Sequence, residues 1–159
     1  MPEEIERKFL IDSDRITLPP NGIEIRQGYL PLSESVKTTV RIRIKGGEAN
    51  IAVKGENRGA VRAEYEYSIP RDDALAMLEG LCAKPLIEKT RYEVTVDTHL
   101  WEIDVFHGDN DGLVLAEIEL TDEHEAFEHP EWLVQEVPGD PRYYNSNLLH
   151  NPYKDWRSG

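Results

Sequence analysis

The sequence contains a single cysteine, Cys82, among its 159 residues. An intrachain disulfide is therefore excluded, which is typical of proteins from reducing compartments. No apolar run approaches about 18 residues, the minimum length of a membrane-spanning helix, and no signal peptide precedes the acidic N-terminus. These absences predict a cytoplasmic protein that does not associate with membranes.

Positive charge is also scarce, since 18 Lys and Arg accompany 31 Asp and Glu and the formal net charge is −13. This balance argues against nonspecific binding to nucleic acid or to an anionic membrane. It still permits a small anionic ligand where basic residues converge or where metal ions intervene. Glycine-rich phosphate loops of the GxxxxGK[ST] and GxGxxG types are absent. The five histidines show no zinc-like pairing.

Alternation of apolar and polar residues predicts eight β-strands and one helix between the fifth and sixth strands. The strands are expected at residues 4–11, 23–30, 40–45, 51–54, 61–69, 86–96, 100–106 and 113–120. The helix begins near Pro70 and ends before Pro85, and further short helical runs are expected at 122–128, 130–135 and 141–150. Long antiparallel strands joined by short turns indicate one mainly β (α+β) domain over residues 1–159. Its expected form is a closed eight-stranded antiparallel β-barrel with a few flanking helices.

The first strand carries two carboxylates and an ammonium group on one face. Glu4, Glu6 and Lys8 are spaced two apart, and residues at this spacing share one face of a strand. Acidic and basic groups placed side by side can hold a hard cation together with its anionic ligand. Arg7 lies between Glu6 and Lys8, so its side chain points to the opposite face of the strand. We therefore expect it on the outer face in a structural or surface role.

Charged residues occupy one face of nearly every predicted strand. They are Glu4, Glu6, Lys8, Glu24, Arg26, Arg41, Arg43, Lys54, Arg62, Glu64, Glu66, Lys89, Arg91, Glu102, Asp104, Glu117 and Glu119. A solvated sheet face is one interpretation. Two features disfavour it: Thr, Ser and Gln are few on these faces, and the charges are segregated by sign, with cations on the third and fourth strands and carboxylates on the last two. Inside a barrel, the cations would match phosphate oxygens and the carboxylates would match Mg²⁺ or Mn²⁺.

The ExExK pattern at residues 4–8 resembles the signature of the CYTH superfamily, the triphosphate tunnel metalloenzymes. Further blocks resemble the family in the same order: RQGYL at 26–30, VRIRIKG at 40–46, EKTRY at 88–92, EIDVF at 102–106, AEIEL at 116–120 and DPRYYN at 140–145. The resemblance implies a tunnel of eight antiparallel strands that binds a triphosphate with a divalent metal. The compact chain looks most like the short bacterial inorganic tripolyphosphatases of this family.

The resemblance also implies roles for individual residues. The phosphates would be gripped by Lys8, Arg41, Arg43, Lys54 and Arg91. Lys89 would lie near the reacting end, and Arg142 would close one mouth of the tunnel. The first metal would be held by Asp104, Glu117 and Glu119, and the second metal or its waters by Glu4 and Glu6. The tail at 151–159 matches no family block.

The expected function is metal-dependent hydrolysis of inorganic triphosphate by in-line attack of a water that the metal and Glu4 or Glu6 orient. Mg²⁺ or Mn²⁺ is the expected cofactor, a small-molecule triphosphate is the expected partner, and a homodimer is left open. Three alternatives stand beside it: an adenylate cyclase of the class IV type, a thiamine triphosphatase, and a noncatalytic polyphosphate-binding module. An acidic β domain for protein contacts is the least specific alternative.

Overall fold

The computed structural model describes residues 3–33 and 35–137. Its regular elements, in chain order, are β1 Glu3–Ile11, β2 Ile23–Tyr29, β3 Thr39–Lys45, β4 Glu48–Lys54, β5 Val61–Ser68, α1 Arg71–Gly80, β6 Ile87–Val96, β7 His99–Phe106, β8 Val114–Glu119 and β9 Leu133–Glu136. Two short 3₁₀ turns lie at Ser13–Arg15 and Gly108–Asn110. No helix in these two ranges is long and apolar enough to cross a membrane.

The sheet closes on itself through its first strand. The order of antiparallel neighbours is β5-β4-β3-β2-β6-β7-β8-β1, and β1 pairs with β5 to complete an eight-stranded barrel. β1 meets β5 where Glu4 lies opposite Arg62, and it meets β9 farther along the same edge, where Phe9 lies opposite Glu136. The predicted closed antiparallel barrel is therefore confirmed, with β9 as an additional strand.

The helices predicted at 122–128 and 130–135 are wrong. Residues 121–132 form turns and irregular backbone, and Leu133–Glu136 is the strand β9. The physical reason is tertiary, because the free edge of β1 supplies hydrogen-bond partners and Trp132 is buried in a core cluster beside it. α1 is the one α-helix within the described ranges. The run predicted at 141–150 and the tail at 151–159 lie outside the described residues.

The apolar faces of the strands point away from the barrel axis. On one side they pack with Trp132 and Phe127 in an aromatic cluster that includes Phe9 and Trp101. On the other side, buried residues of β3 pack against α1, where Leu78 is fully buried. Because successive side chains alternate across a strand, covering the outer faces directs the charged faces inward.

One end of the barrel interior is filled with apolar side chains. We call this cluster the floor; its members are Leu10, Tyr29, Ile87, Phe106, Leu113, Leu115 and Val137. These residues continue the inward faces of β1, β2, β6, β7 and β8 beyond their charged residues, and Val137 follows β9. The interior is therefore a charged well above an apolar floor.

Candidate functional site

A cavity of about 220 Å³ occupies the charged part of the well. Most residues predicted for the site line it: Glu4, Glu6, Lys8, Arg41, Arg43, Lys54, Arg91, Glu117 and Glu119. They come from five strands, β1, β3, β4, β6 and β8, and they meet because each one lies on the inward face of its strand. The register supports this, since β1 and β8 place Glu6 opposite Glu119 and Lys8 opposite Glu117. Arg142 lies outside the described residues.

The basic side of the cavity is built by β3, which carries two buried arginines. Arg41 donates to Glu66 at 3.0 Å, and Arg43 donates through Nε to the side-chain oxygen of Gln27 at 2.8 Å. Burial, together with the neighbouring Arg41, lowers the pKa of Arg43 to about 10. Arg43 has no carboxylate within ion-pair distance in the described part of the chain. Its guanidinium therefore has a planar fork and positive charge to offer to an anion.

Glu4 lies at the seam where β1 meets β5. Lys54 Nζ lies 2.9 Å from a Glu4 oxygen, Arg62 Nε lies 3.3 Å from the other, and Glu64 also pairs with Lys54 at 3.2 Å. Burial favours the neutral carboxyl, but Lys54 and then Arg62 outweigh it and lower the pKa of Glu4. Glu4 is therefore ionised and its charge is balanced by cations.

At three other carboxylates of the well, burial outweighs the effect of nearby cations on the pKa. Burial, and then repulsion from Glu117, raises the pKa of Glu6 to about 8. Burial and the nearby charges of Glu4, Glu64 and Glu102 raise the pKa of Glu119. Burial also raises the pKa of Glu102 against the opposing effect of Arg91. Mutually repelling carboxylates in one cavity are the electrostatic condition that favours a bound cation.

Asp104 and Lys89 lie below the cavity and do not line it. Both side chains are fully buried, and Lys89 Nζ is 2.8 Å from one Asp104 oxygen. Arg91 reaches the two oxygens of Asp104 at 2.7 Å and 2.9 Å. Lys89 also lies 5.4 Å from the ring centroid of Phe106 in the floor, and burial lowers the pKa of Lys89. The structure therefore places Asp104 in a buried ion cluster rather than beside Glu117 and Glu119 in the cavity.

Glu102 and Tyr29 line the cavity although they were not among the predicted site residues. Glu102 shares the inward face of β7 with Asp104 and lies opposite Glu117 of β8. The alternation of side chains along β7 is therefore the sequence signal that could have identified it. Tyr29 lies in the RQGYL block, where a packing role is the simpler interpretation of an aromatic residue.

Glu24 and Arg26 were expected on the charged face, and this is wrong. Both are exposed on the outside of the barrel, because Ile25, Gln27 and Tyr29 supply the inward face of β2. Arg7 lies on the outer face as predicted: it forms paired hydrogen bonds with Glu136, one of them 2.6 Å long.

The donor set of the cavity fits a hard divalent cation. Glu6, Glu102, Glu117 and Glu119 offer only carboxylate oxygens, the ligands that such ions prefer. Among residues 3–33 and 35–137, no three Asp, Glu, His or Cys side chains are already arranged as a metal site. This agrees with the usual behaviour of Mg²⁺, which binds through one or two carboxylates and completes its coordination with water and substrate phosphates.

Together, the fold and the site define a barrel protein with an internal, charge-lined well suited to an anion and a divalent cation. The chain belongs to the CYTH family: the model of the CYTH domain matches residues 2–144. Membership of this family of metalloenzymes implies a divalent metal ion as cofactor.

Known relatives match the chain along nearly its whole length. It is 46% identical over 157 residues to a protein of Acetivibrio thermocellus named inorganic triphosphatase, covering 99% of each chain. It is 38% identical over 152 residues to a Nitrosomonas europaea protein of the same name, covering 91% of this chain and 95% of that one. A crystal structure of an inorganic triphosphatase, 33% identical, superposes with a TM-score of 0.62 over 91% of this chain and 96% of the other.

Proposed function

We propose that the protein hydrolyses inorganic triphosphate in the well, with Mg²⁺ or Mn²⁺ as its cofactor. The observation that carries this proposal is the opposition of buried arginines and carboxylates across one cavity. Triphosphate hydrolysis, expected from the sequence, is also supported by relatives that bear the name inorganic triphosphatase. The protein is thereby assigned to the hydrolases that act on phosphoanhydride bonds.

The basic residues bind and orient the substrate. Arg41 and Arg43 face the cavity from β3 and present planar forks to phosphate oxygens, while Lys8, Lys54 and Arg91 add charge from other strands. Aligning the triphosphate in this way lowers the entropic cost of in-line attack. Arg142 stays an expected substrate contact from the sequence.

The carboxylates would hold the metal and the attacking water. Glu117 and Glu119 of β8 are the proposed ligands, and Glu102 joins them because it lines the same cavity. When bound, a divalent metal offsets phosphate charge and lowers the pKa of a coordinated water. Glu4 and Glu6 would orient that water. Asp104 would orient Arg91, because it accepts two hydrogen bonds from the Arg91 guanidinium. Lys89 would in turn hold Asp104 in place, since it donates a hydrogen bond to the same carboxylate.

Glu119→Gln tests the metal-binding carboxylates. Phosphate release should fall roughly 10²–10³-fold, the usual cost of removing one preorganised charged group. Stability without metal should be unchanged or slightly higher, because neighbouring carboxylates repel the ionised Glu119. The measurement is phosphate release with Mg²⁺, Mn²⁺ or a chelator, beside urea unfolding. Glu79→Gln on the exposed side of α1 is the matched control. Full metal-dependent activity in folded Glu119→Gln would refute the ligand assignment.

A substrate panel separates the remaining alternatives. Preferential phosphate release from tripolyphosphate over ATP and thiamine triphosphate supports the proposal. Cyclic AMP formation would instead show a cyclase, and preferential release from thiamine triphosphate a thiamine triphosphatase. A rise in Tm with tripolyphosphate but no turnover would show a binding module. The cytoplasmic location and a homodimer stay predictions from the sequence.

A further inference from the structure

A second cavity, of about 360 Å³, lies beside the well where β7 begins and β8 ends. Glu102 and Glu119 line both this side cavity and the well. Glu119 is exposed, and the neighbouring carboxylates that raise its pKa repel it when it is ionised. A carboxylate with space on two sides and repulsion from within the well needs a fixed backbone to bind a metal ion there.

Strand pairing fixes the backbone of Glu119 on one side only. On the β1 side, Glu119 lies opposite Glu6. On the β7 side, the backbone pairing within the described residues ends with Trp101 opposite Ile118, one residue before Glu119. The side cavity lies beyond this pair, where side chains make the connection between the two strand ends.

Glu125 makes that connection through both of its carboxylate oxygens. One oxygen accepts hydrogen bonds from Thr121 N and Thr121 Oγ1, each at 2.7 Å, and the other accepts from His99 Nε2 at 2.6 Å. Thr121 follows Glu119 by two residues, and His99 is the first residue of β7. The hydrogen bonds from the Thr121 hydroxyl and then from His99 lower the pKa of Glu125 to about 2. Glu125 is therefore ionised and acts only as an acceptor.

Local hydrogen bonds shape the turn that carries Glu125. Glu125 N donates to the Asp122 carbonyl at 3.0 Å, and His124 N donates to the Asp122 carboxylate at 2.8 Å. An aspartate that accepts from the backbone two residues later is a common way of fixing a turn. The turn therefore brings the Glu125 side chain back to Thr121 and His99 in a defined position.

We propose that Glu125 is a positioning residue for the metal site: by joining Thr121 to His99, it fixes the end of β8 against β7 and holds Glu119 at the rim of the well. The inference rests on the proposed function, since it takes Glu119 as a metal ligand. Glu125 lines the side cavity and not the well, so it acts through Glu119 rather than by touching the metal or the triphosphate.

Glu125→Ala tests the bridge, because it removes both acceptor oxygens. Mn²⁺ binding, measured by electron paramagnetic resonance without substrate, should weaken roughly 10–100-fold, the usual effect of losing a group that orients a metal ligand. The Mn²⁺ concentration for half-maximal phosphate release should rise in parallel. KM for tripolyphosphate at saturating Mn²⁺ should change little, because the arginines of β3 are not displaced. Unchanged Mn²⁺ binding in folded Glu125→Ala would overturn the proposal.

Two further variants separate the bridge from the charge of Glu125. Glu123→Ala is the matched control, since it removes an equal charge from the same turn and its carboxylate lies 3.9 Å from the adjacent His124. Glu125→Gln keeps the bridge: its amide oxygen accepts from Thr121, and its NH₂ group donates to the other tautomer of His99. Mn²⁺ binding should therefore be near wild type in both variants. Binding as weak in Glu125→Gln as in Glu125→Ala would overturn the bridging role.

The effect of Glu125 should also depend on Glu119. Glu125→Ala should weaken Mn²⁺ binding less when Glu119 is already Gln, because the two residues act through one contact with the metal. Fully additive losses would overturn the action through Glu119. If the wild-type protein bound Mn²⁺ but released no phosphate from tripolyphosphate, the proposed function would fail, while the comparison of Mn²⁺ binding would still decide the role of Glu125.

Discussion

The carboxylates of the well differ in how their charge is balanced. Asp104 is held by Lys89 and Arg91 and has a lowered pKa, because these cations outweigh the effect of burial. Burial and then neighbouring carboxylates raise the pKa of Glu119. Burial also raises the pKa of Glu102, although Arg91 at 3.2 Å opposes it. The first kind of carboxylate stabilises the barrel, whereas the second kind stores repulsion that a cation would relieve.

Asp104→Asn should therefore act mainly on folding. It leaves the fully buried Lys89 without its partner at 2.8 Å and removes one of the three carboxylates around Arg91. Breaking a buried ion pair commonly costs about 3–5 kcal/mol. Urea denaturation at neutral pH measures this loss. Glu102→Gln is the comparison, because Glu102 is only partly buried and its removal should change stability little. Wild-type stability in Asp104→Asn, together with loss of metal binding, would instead identify Asp104 as a ligand.

At the level of elements, the barrel depends on close contact between β2 and the chain that follows α1. Gly28 in β2 faces outward beneath Cys82 and Leu86. A Cβ at this position would lie 2.7 Å from Leu86 Cδ2 and 2.9 Å from Cys82 Cβ. Glycine is therefore required here by space rather than by backbone conformation.

Gly28→Ala should lower the free energy of unfolding by about 1–3 kcal/mol, the usual cost of forcing extra volume into a packed core. Thermal or urea unfolding measures the change. Gly47→Ala in the β3–β4 turn is the control, since a Cβ there meets nothing within 4 Å. Equal stability of the two variants would contradict the close packing described for Gly28.

At the level of the whole molecule, the single cysteine reports on the integrity of the fold. Cys82 is buried in the cluster between α1 and the barrel, and burial raises the pKa of its thiol against the opposing effect of Lys84. The thiolate is the reactive form of cysteine. Both effects protect Cys82 in the native protein.

A thiol reagent should therefore react slowly with the native protein and rapidly in urea. Because there is one cysteine in the chain, the reaction rate measures opening of this cluster without other contributions. Adding tripolyphosphate with Mg²⁺ should slow labelling further if exposure requires unfolding, since a ligand that binds the native state stabilises it. If Cys82 reacted as fast in the native protein as in urea, its thiol would be accessible in the native fold, which would contradict its burial in this cluster.

The alternation of side chains along each strand explains most of the site residues that could be predicted from the sequence. Glu4, Glu6 and Lys8 share a face because the alternation of side chains is local to a strand, and the same rule placed Arg41 and Arg43 together. The rule failed for β2, where both parities carry polar groups and the pattern alone did not identify Gln27 as the inward residue. It also could not identify β9, which forms on an edge of β1 more than a hundred residues away in sequence.

The sequence by itself determined the eight strands of the barrel, the charged set on their common face and the family. These properties follow from local alternation and from motifs within single strands. Only the tertiary structure decided the depth of each residue along the barrel. It put Asp104 in a buried layer, Glu102 in the cavity, and Tyr29 between the cavity and the floor. The reason is that depth depends on the register between strands distant in the chain, which no single strand encodes.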